Sequence, residues 1–568
     1  MTRIFSVTLL LFVAAAQSAL AAGPRVDIVI GEKAPPLEKR AAEDIAVDLK
    51  KVYDAEVKIA TAAPEGAENV IFVGSPETNE ETKKQIAESW PELKNRDHVL
   101  RTIKYRGKPA LFIGGADPPA VYWAASEYAH SLGVRVLDFG DLHPVDPKPF
   151  SLAGFDIVVR GRVSQAPSAM KFDPFPTGFT SWSLDDTKRS LRQLARRKGS
   201  KVLLELHSWQ PFVDFEIDGI KKQTGVLWYG WQFPVSGDTA GRSAFHGARF
   251  FDNPDFTGTK TYEERIAAGK KWLSGFIGEA ASEGITVDVE TNATEFSREF
   301  AKVAPVSRPK IAPAEGRILI PKVGKKEREL TRHEKVISDA YKLTYPGLGS
   351  VWFQSELPVF GRPLVSDGNV LSYRVFRMES DVLLTPQEGC EQMVTPICGA
   401  GVHSSVYKAL EQIEGALTLQ SENDRFFNLP APDMILKHYA SSDPPPEWWS
   451  QVRANYLGAM NDMYRANSRA REGGRSYTLY LARRCEFGYE YMNCVEATRK
   501  AGIAKAKKDI AEQRAQLEKA IESMNAACSA LAAVARDQSD RGMIAVCNEF
   551  GYKALQKELE KLDAEESK

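Results

Sequence analysis

The stretch Lys201 to Trp209, KVLLELHSW, decides how the centre of this chain folds. Its residues alternate without a break: Val202, Leu204 and Leu206 fall on one side, Leu203, Glu205 and His207 on the other. Side chains switch sides at every residue of a strand. One face of this strand therefore suits a layer of helices, while the other aims Glu205 and His207 toward a polar cavity. Two later stretches repeat the pattern. In ITVDVET, Ile285, Val287 and Val289 oppose Asp288 and Glu290; in VWFQSE, Val351 and Phe353 oppose Gln354 and Glu356. Helical periodicity over residues 185–197, 262–283 and 327–344 precedes the three stretches in turn. Strands that carry carboxylates toward their C-terminal ends, alternating with helices, predict a β/α barrel.

Phe155 to Arg160 reads as the first strand of that barrel and VLSYRVF, residues 370–376, as the last. Only about five or six strand signals lie in this span, whereas a complete eight-unit barrel uses roughly 250 residues. Either some strands are weakly patterned or the barrel is incomplete. Between the first and second carboxylate strands runs a long aromatic loop, Trp209 to Phe256, with WYGWQFP (228–234), GRSAFHG (241–247) and FFDNPDF (250–256). Loops of this length are functional or disordered, and the density of Trp and Phe argues against disorder.

Arg3, an apolar run from Ile4 to Ala16 and the small-residue sequence Ala19-Leu20-Ala21 predict a cleaved signal peptide over residues 1–22, and hence a secreted or periplasmic protein. No other stretch is apolar enough to span a bilayer. Residues 23–150 alternate strands and helices as a compact α/β domain. Val26 to Ile30 and Asn69 to Val73 read as strands, Leu37 to Tyr53 as a helix, and Val99 to Ile113 as a hairpin turned at Arg106-Gly107. A helix from Ala120 stops at Gly133. Residues 151–384 hold the barrel-like region. From 385 to 568 helical periodicity dominates, with apolar residues three and four apart, as in Leu517, Ile521 and Met524, so a helical bundle is expected. The fold class is thus α/β plus α.

The 43% hydrophobic and 26% charged composition is globular, and 74 Lys and Arg nearly cancel 75 Asp and Glu, which gives no sign of a polyanion binder, so no nucleic-acid partner is expected. The six cysteines, Cys390, Cys398, Cys485, Cys494, Cys528 and Cys547, form no CxxC and fit no zinc module. Cys485 and Cys494 stand nine residues apart in a helical stretch, about 13 Å along the axis, and cannot pair. No GxSxG, HExxH or phosphate-binding glycine loop occurs, so no metal and no cofactor is expected.

Three runs resemble a known module. AAEDIAVDLKKVYDAEV (41–57), IFVGSPETN (71–79) and LFIGGADPPAVYWAASEYAHSLGVRVLDFGD (111–141) are similar to the N-terminal domain that precedes the barrel in bacterial α-glucuronidases and, more distantly, β-hexosaminidases. In those families an I-x-G strand, a Tyr/Gly-containing helix and an LGVR strand recur in this order; Ile113-Gly114-Gly115, Tyr122-Trp123-Ala124 and Leu132-Gly133-Val134-Arg135 match them here. The resemblance covers about a fifth of the chain and implies a carbohydrate-active protein. The family's catalytic contexts have no counterpart in residues 151–384, so none of its catalytic residues is carried over.

The expected activity is a glycoside hydrolase acting on a polysaccharide or oligosaccharide, uronate- and hexosamine-containing glycans being the first candidates. Glycosidic cleavage needs one carboxylic acid to protonate the leaving oxygen and a second carboxylate as nucleophile or base. Glu290 and Glu356 are the candidate pair. Glu205, His207 and Asp288 are candidates for orienting hydroxyls, Trp209, Trp228, Trp231 and Phe251 for stacking on sugar rings, and Arg242 for holding a carboxylate in a fork. The rival readings are a non-catalytic glycan-binding protein on a shortened barrel, and an interaction protein that works through its helical region.

Overall fold

The computed structural model describes residues 23–137, 140–161, 168–171, 181–206, 212–222, 232–292, 332–354, 364–365, 377, 384–424, 429–430 and 432–566. The chain divides into two compact units, Met1–Gly133 with Pro147–Arg160, and Val134–Asp146 with Gly161–Lys568.

The first unit is a six-stranded sheet with helices α1 (Pro36–Tyr53) and α2 (Pro118–Ser131). Its strands are β1 (Arg25–Val29), β2 (Glu56–Ala60), β3 (Val70–Val73), β4 (His98–Tyr105), β5 (Lys108–Gly115) and β6 (Asp156–Val159), in the order β2-β1-β3-β5-β4-β6. The β1, β2, β3 and β5 strands run parallel, and β4 runs antiparallel to β5 and β6. Arg106 and Gly107 both take positive φ, 48° and 85°, which closes the β4–β5 hairpin with the twist that a two-residue loop needs. Asp117 caps α2 by accepting from the Ala120 amide at 2.8 Å, with Pro118 behind it. The sheet corrects one expectation. Residues 156–159, read from sequence as the first barrel strand, pair with β4 instead, with Arg101 opposite Asp156 and bonded to it at 2.9 Å. Alternation marks a strand without naming its sheet.

Glu38 on α1 lies beneath the turn that follows β3. It is 1% exposed, and its Oε1 accepts a hydrogen bond from Thr78 Oγ1 at 2.9 Å. Oε2 faces Gly74, where a Cβ would come within 2.9 Å, and Gly74 has φ of 122°. Burial pushes the Glu38 carboxyl from 4.5 up to about 7, against the opposing hydrogen bond from Thr78.

The second unit contains a four-stranded parallel sheet: β7 (Ser168–Lys171), β8 (Lys201–Glu205), β9 (Thr286–Asn292) and β10 (Val351–Gln354), paired in sequence order. Helices α3 (Leu184–Arg196), α4 (Tyr262–Ser282) and α5 (Arg332–Thr344) make the three crossovers. Right-handed crossovers between successive neighbours put all three helices on one face. Val202, Leu204, Val287 and Val289 are fully buried, as that face requires. Helix starts follow their sequence signals: Ser183 with Asp186, and Thr261 with Glu264, form capping boxes. The fold is mixed α/β with a parallel sheet and a helical C-terminal region. The stretch 370–376, expected as a further strand, lies outside the described residues.

The helical region comprises α6 (Pro386–Cys398), α7 (His403–Asn423), α8 (Glu447–Arg469), α9 (Glu472–Lys507), α10 (Ile510–Ala532), α11 (Gln538–Val546) and α12 (Lys553–Glu566). They share one core, into which residues 233–251 of the aromatic loop also reach. Inside it Arg484 and Asp540 form an ion pair at 3.1 Å, with side chains 3% and 2% exposed. Asp540 also accepts from Tyr480 Oη at 3.1 Å and from the Arg536 amide at 3.1 Å. These bonds satisfy a carboxylate that burial alone would penalise. All six cysteines are free and buried. No helix among the described residues is long and apolar enough to cross a membrane.

Two consequences are measurable. A carboxyl whose folded value is raised contributes stability that is complete below about 4.5 and is lost as pH rises through about 7. Amide exchange of α1 and residues 74–79, corrected for intrinsic rates, should therefore quicken between acidic and alkaline pH in the wild type and lose that dependence in Glu38→Gln. In the helical region, Asp540→Ala leaves the Arg484 charge buried without its partner and should lower the unfolding free energy by about 3–5 kcal/mol, read by denaturant titration of helical circular dichroism.

Candidate functional site

Parallel pairing places side chains of opposed residues on the same face of a sheet, so the register defines rows across the four strands. Glu205 is opposite Lys171 on one side and Glu290 on the other, and Glu290 is opposite Trp352. Glu290 and Trp352 therefore share one row, and the backbone register sets Lys171 and Glu205 level with it; the side chains of Lys171 and Glu205 lie outside those described. The row before it holds Leu203 and Asp288. Val202, Leu204, Val287 and Val289 face the other way, so these rows lie on the face away from the crossover helices. Glu205 ends β8 and Glu290 stands in the last half of β9, so this register position lies near the C-terminal edge of those two strands, where parallel α/β folds build their sites, while Trp352 is the second residue of β10.

Asp288 is buried and fully engaged. Its Oδ1 accepts from the Ser350 amide at 2.8 Å, its Oδ2 accepts from Trp352 Nε1 at 3.0 Å, and Lys201 Nζ lies 3.2 Å from Oδ2. The carboxylate therefore ties β8, β9 and β10 together on the polar face. It needs a bare backbone beside it: a Cβ at Gly349 would stand 2.3 Å from Asp288 Oδ1. Glu290 is half-buried, and its carbonyl accepts from the Leu206 amide at 2.7 Å. Trp352, bonded to Asp288 through its indole N–H, keeps 42% of its surface exposed.

The other sequence-derived residues fall elsewhere. Phe251 is 3% exposed, with its ring 6.4 Å from Phe233 and 5.9 Å from Phe245. Arg242 is exposed on a short 3-10 turn. The segment that carries them docks on the helical region rather than standing open: Ala240 N donates to Asn548 Oδ1 at 2.9 Å, Arg541 Nε donates to the Ala244 carbonyl at 3.0 Å, and Phe233 meets Phe550 edge-on. Gly241, with φ of 69°, passes so close that a Cβ would lie 2.9 Å from the Cys528 carbonyl. Asp252 closes the segment. Burial raises its carboxyl above the usual range, while Arg265 at 3.6 Å and the amide of Gln232 oppose the shift. His207, Trp209, Trp228, Trp231 and Glu356 lie outside the described residues.

Sequence reasoning missed Trp352 and Lys201. Both were within reach of the alternation itself: Trp352 shares the parity of Gln354, and Lys201 that of Glu205.

No protein-family model matches the chain, and no curated protein matches it. Solved structures with partial similarity include glycoside hydrolases. A family GH115 4-O-methyl-α-glucuronidase with specificity for decorated arabinogalactans is 12% identical at a TM-score of 0.45, over 90% of this chain and 78% of its own. A GH138 enzyme targeting pectin rhamnogalacturonan II is 10% identical at 0.44, over 95% and 99%. A GH84 protein is 8% identical at 0.30, over 87% and 90%.

The Gly349 contact yields a direct test of the anchored carboxylate. Gly349→Ala should displace Asp288 and lower the unfolding free energy by about 1–3 kcal/mol, the usual cost of overpacking, measured by denaturant titration.

Proposed function

We propose that the C-terminal edge of the four-stranded sheet is the active site of an exported glycoside hydrolase acting on a polysaccharide or oligosaccharide. The observation that carries the reading is the register of Glu205 opposite Glu290 on adjacent parallel strands of one face. Neighbouring strands lie about 4.8 Å apart, and the two carboxyl groups of retaining glycosidases stand about 5–5.5 Å apart. This spacing supports Glu205 as the partner of Glu290. Glu356, the partner expected from sequence, is the alternative on the next strand.

In this reading one carboxylic acid protonates the glycosidic oxygen as the bond to the anomeric carbon breaks, while the other attacks that carbon to give a glycosyl ester. The first group, now a carboxylate, takes a proton from water, and the resulting hydroxide displaces the ester. The group in the drier setting holds its proton longer and serves as the acid. Lys201 and Asp288 hold the strands in place beneath the reaction. The α-glucuronidase-like motifs of residues 41–141 support a sugar as substrate, and residues 1–22 support export.

A second reading, a glycan-binding protein, is favoured by one observation: Asp288 is spent on Lys201, Ser350 and an exposed tryptophan, as a binding face would use it.

Reducing-sugar release from uronate- and hexosamine-containing glycans separates the two. Glu290→Gln should lower the rate by about 100- to 10,000-fold with the fold intact. A comparable loss in Glu205→Gln, with Glu356→Gln nearly unaffected, supports the register pair; the reverse pattern restores Glu356. Retention of glycans by a wild type that releases no sugar from any of them moves the binding reading ahead.

A further inference from the structure

Trp352 is the largest side chain on β10, the outer strand of the four-stranded sheet, and it is exposed. Its position is not loose. The indole N–H donates to Asp288 Oδ2 at 3.0 Å, and Asp288 is itself held by the Ser350 amide at 2.8 Å and by Lys201 at 3.2 Å. One edge of the ring is therefore anchored to a buried carboxylate while 42% of the residue remains open to solvent. An exposed indole that serves only as packing needs no such anchor. A ring meant to receive a flat apolar partner gains from one, because the orientation is fixed before the partner arrives.

Register supplies the second observation. Trp352 is directly opposite Glu290, on the same face and the adjacent strand. A group resting on the indole would lie one strand spacing, about 4.8 Å, from the row position of that carboxylate. The chemical class that combines a flat patch of C–H groups with a bond to be cleaved at its rim is a pyranose whose axial hydrogens all point to one side. Such a ring stacks on an aromatic face through dispersion and through the attraction of polarised C–H groups to the π cloud.

We propose that Trp352 is a sugar-stacking subsite that seats a pyranose ring beside Glu290, with Asp288 and Lys201 as the positioning residues that hold the indole. This rests on the glycoside-hydrolase reading for its placement beside a reacting bond, but not for the binding itself. The anchored indole fixes which face of the sugar is covered and hence which way the glycosidic bond is presented. Trp352 makes no bond in the reaction and moves no proton.

The test uses the full-length protein carrying Glu290→Gln, so that binding is read without turnover. Migration is followed in native gels containing hydroxyethylcellulose, polygalacturonate or glycol chitin, which present neutral, uronate and amino-sugar pyranoses. At least one polymer should retard the protein. Adding Trp352→Ala should weaken that retardation by about tenfold, whereas Trp352→Tyr, which keeps a ring, should recover most of it. Asp288→Asn should weaken binding less than Trp352→Ala does, by loosening the ring without removing it. Thermal unfolding and near-ultraviolet circular dichroism show whether each variant is folded; if Trp352→Ala is not, the comparison is made with Trp352→Leu.

Undiminished retardation of a folded protein that lacks the ring overturns the proposal, as does the absence of retardation by all three polymers. A wild type that cleaves none of these polymers, yet loses binding with Trp352, overturns the hydrolase reading and leaves the subsite standing. Cleavage that survives Trp352→Ala with unchanged KM and kcat does the opposite.

Discussion

The pairing of β8 with β9 is the constraint on which the candidate site depends. Five consecutive residue pairs, from Lys201 opposite Thr286 to Glu205 opposite Glu290, set which side chains share a face. A slip of one residue would turn Glu290 into the helix-facing layer and bring Val289 or Thr291 to the polar face. What prevents the slip is asymmetry between the two faces: Val202, Leu204, Val287 and Val289 must be covered, and a slip of one residue would uncover one strand's pair. Asp288 adds a polar lock on the opposite side, since Lys201 on β8 and Ser350 and Trp352 at the start of β10 hold it from the two strands that flank its own. Apolar burial selects the face, and the carboxylate fixes the position along the strand.

The helical region solves the opposite problem with a related device. Its core is broad and mainly apolar, yet it accommodates an Arg484–Asp540 pair whose charges are almost wholly removed from water. Such a pair contributes little net stability but makes alternative packings costly, because any rearrangement that parts the partners strands a charge. The segment around Phe233, Gly241 and Phe251 is laid against this core through backbone bonds to Asn548 and Arg541. The aromatic residues of that segment, read in sequence as a sugar-binding loop, are thereby split in character: Phe233, Phe245 and Phe251 are packing residues, while Phe250 stays exposed.

How much of this was legible in the sequence depends on the range of the interaction. The Arg106-Gly107 hairpin and the alternation of KVLLE and TVDVE are short-range, and each appears where its residues predict. The two faces of β8 and β9 follow from the same parity. Sheet membership is long-range, and there the reading of residues 155–160 failed: a strand's alternation is equally content at the edge of either sheet. The partnership of Glu205 with Glu290 could not be read from spacing, because register between strands about 85 residues apart in sequence is set by packing. Trp352 was overlooked for a different reason. A lone tryptophan beside valine and phenylalanine looks like core, and only the hydrogen bond to Asp288 shows that its ring is held at the surface.

The six cysteines all lie in the helical region, and all are buried and outside any disulfide. Burial pushes the thiols of Cys390, Cys398, Cys485 and Cys494 up to about 12, so almost none is in the reactive thiolate form while the helices stay packed. The helical region consequently carries its own clock. A thiol reagent in solution must wait for a helix to part from its neighbours, and the order in which α6, α9, α10 and the turn at Cys547 become labelled reports the order in which they open. The residues before Cys390 contain no cysteine at all, so the record would be free of any signal from the two sheets.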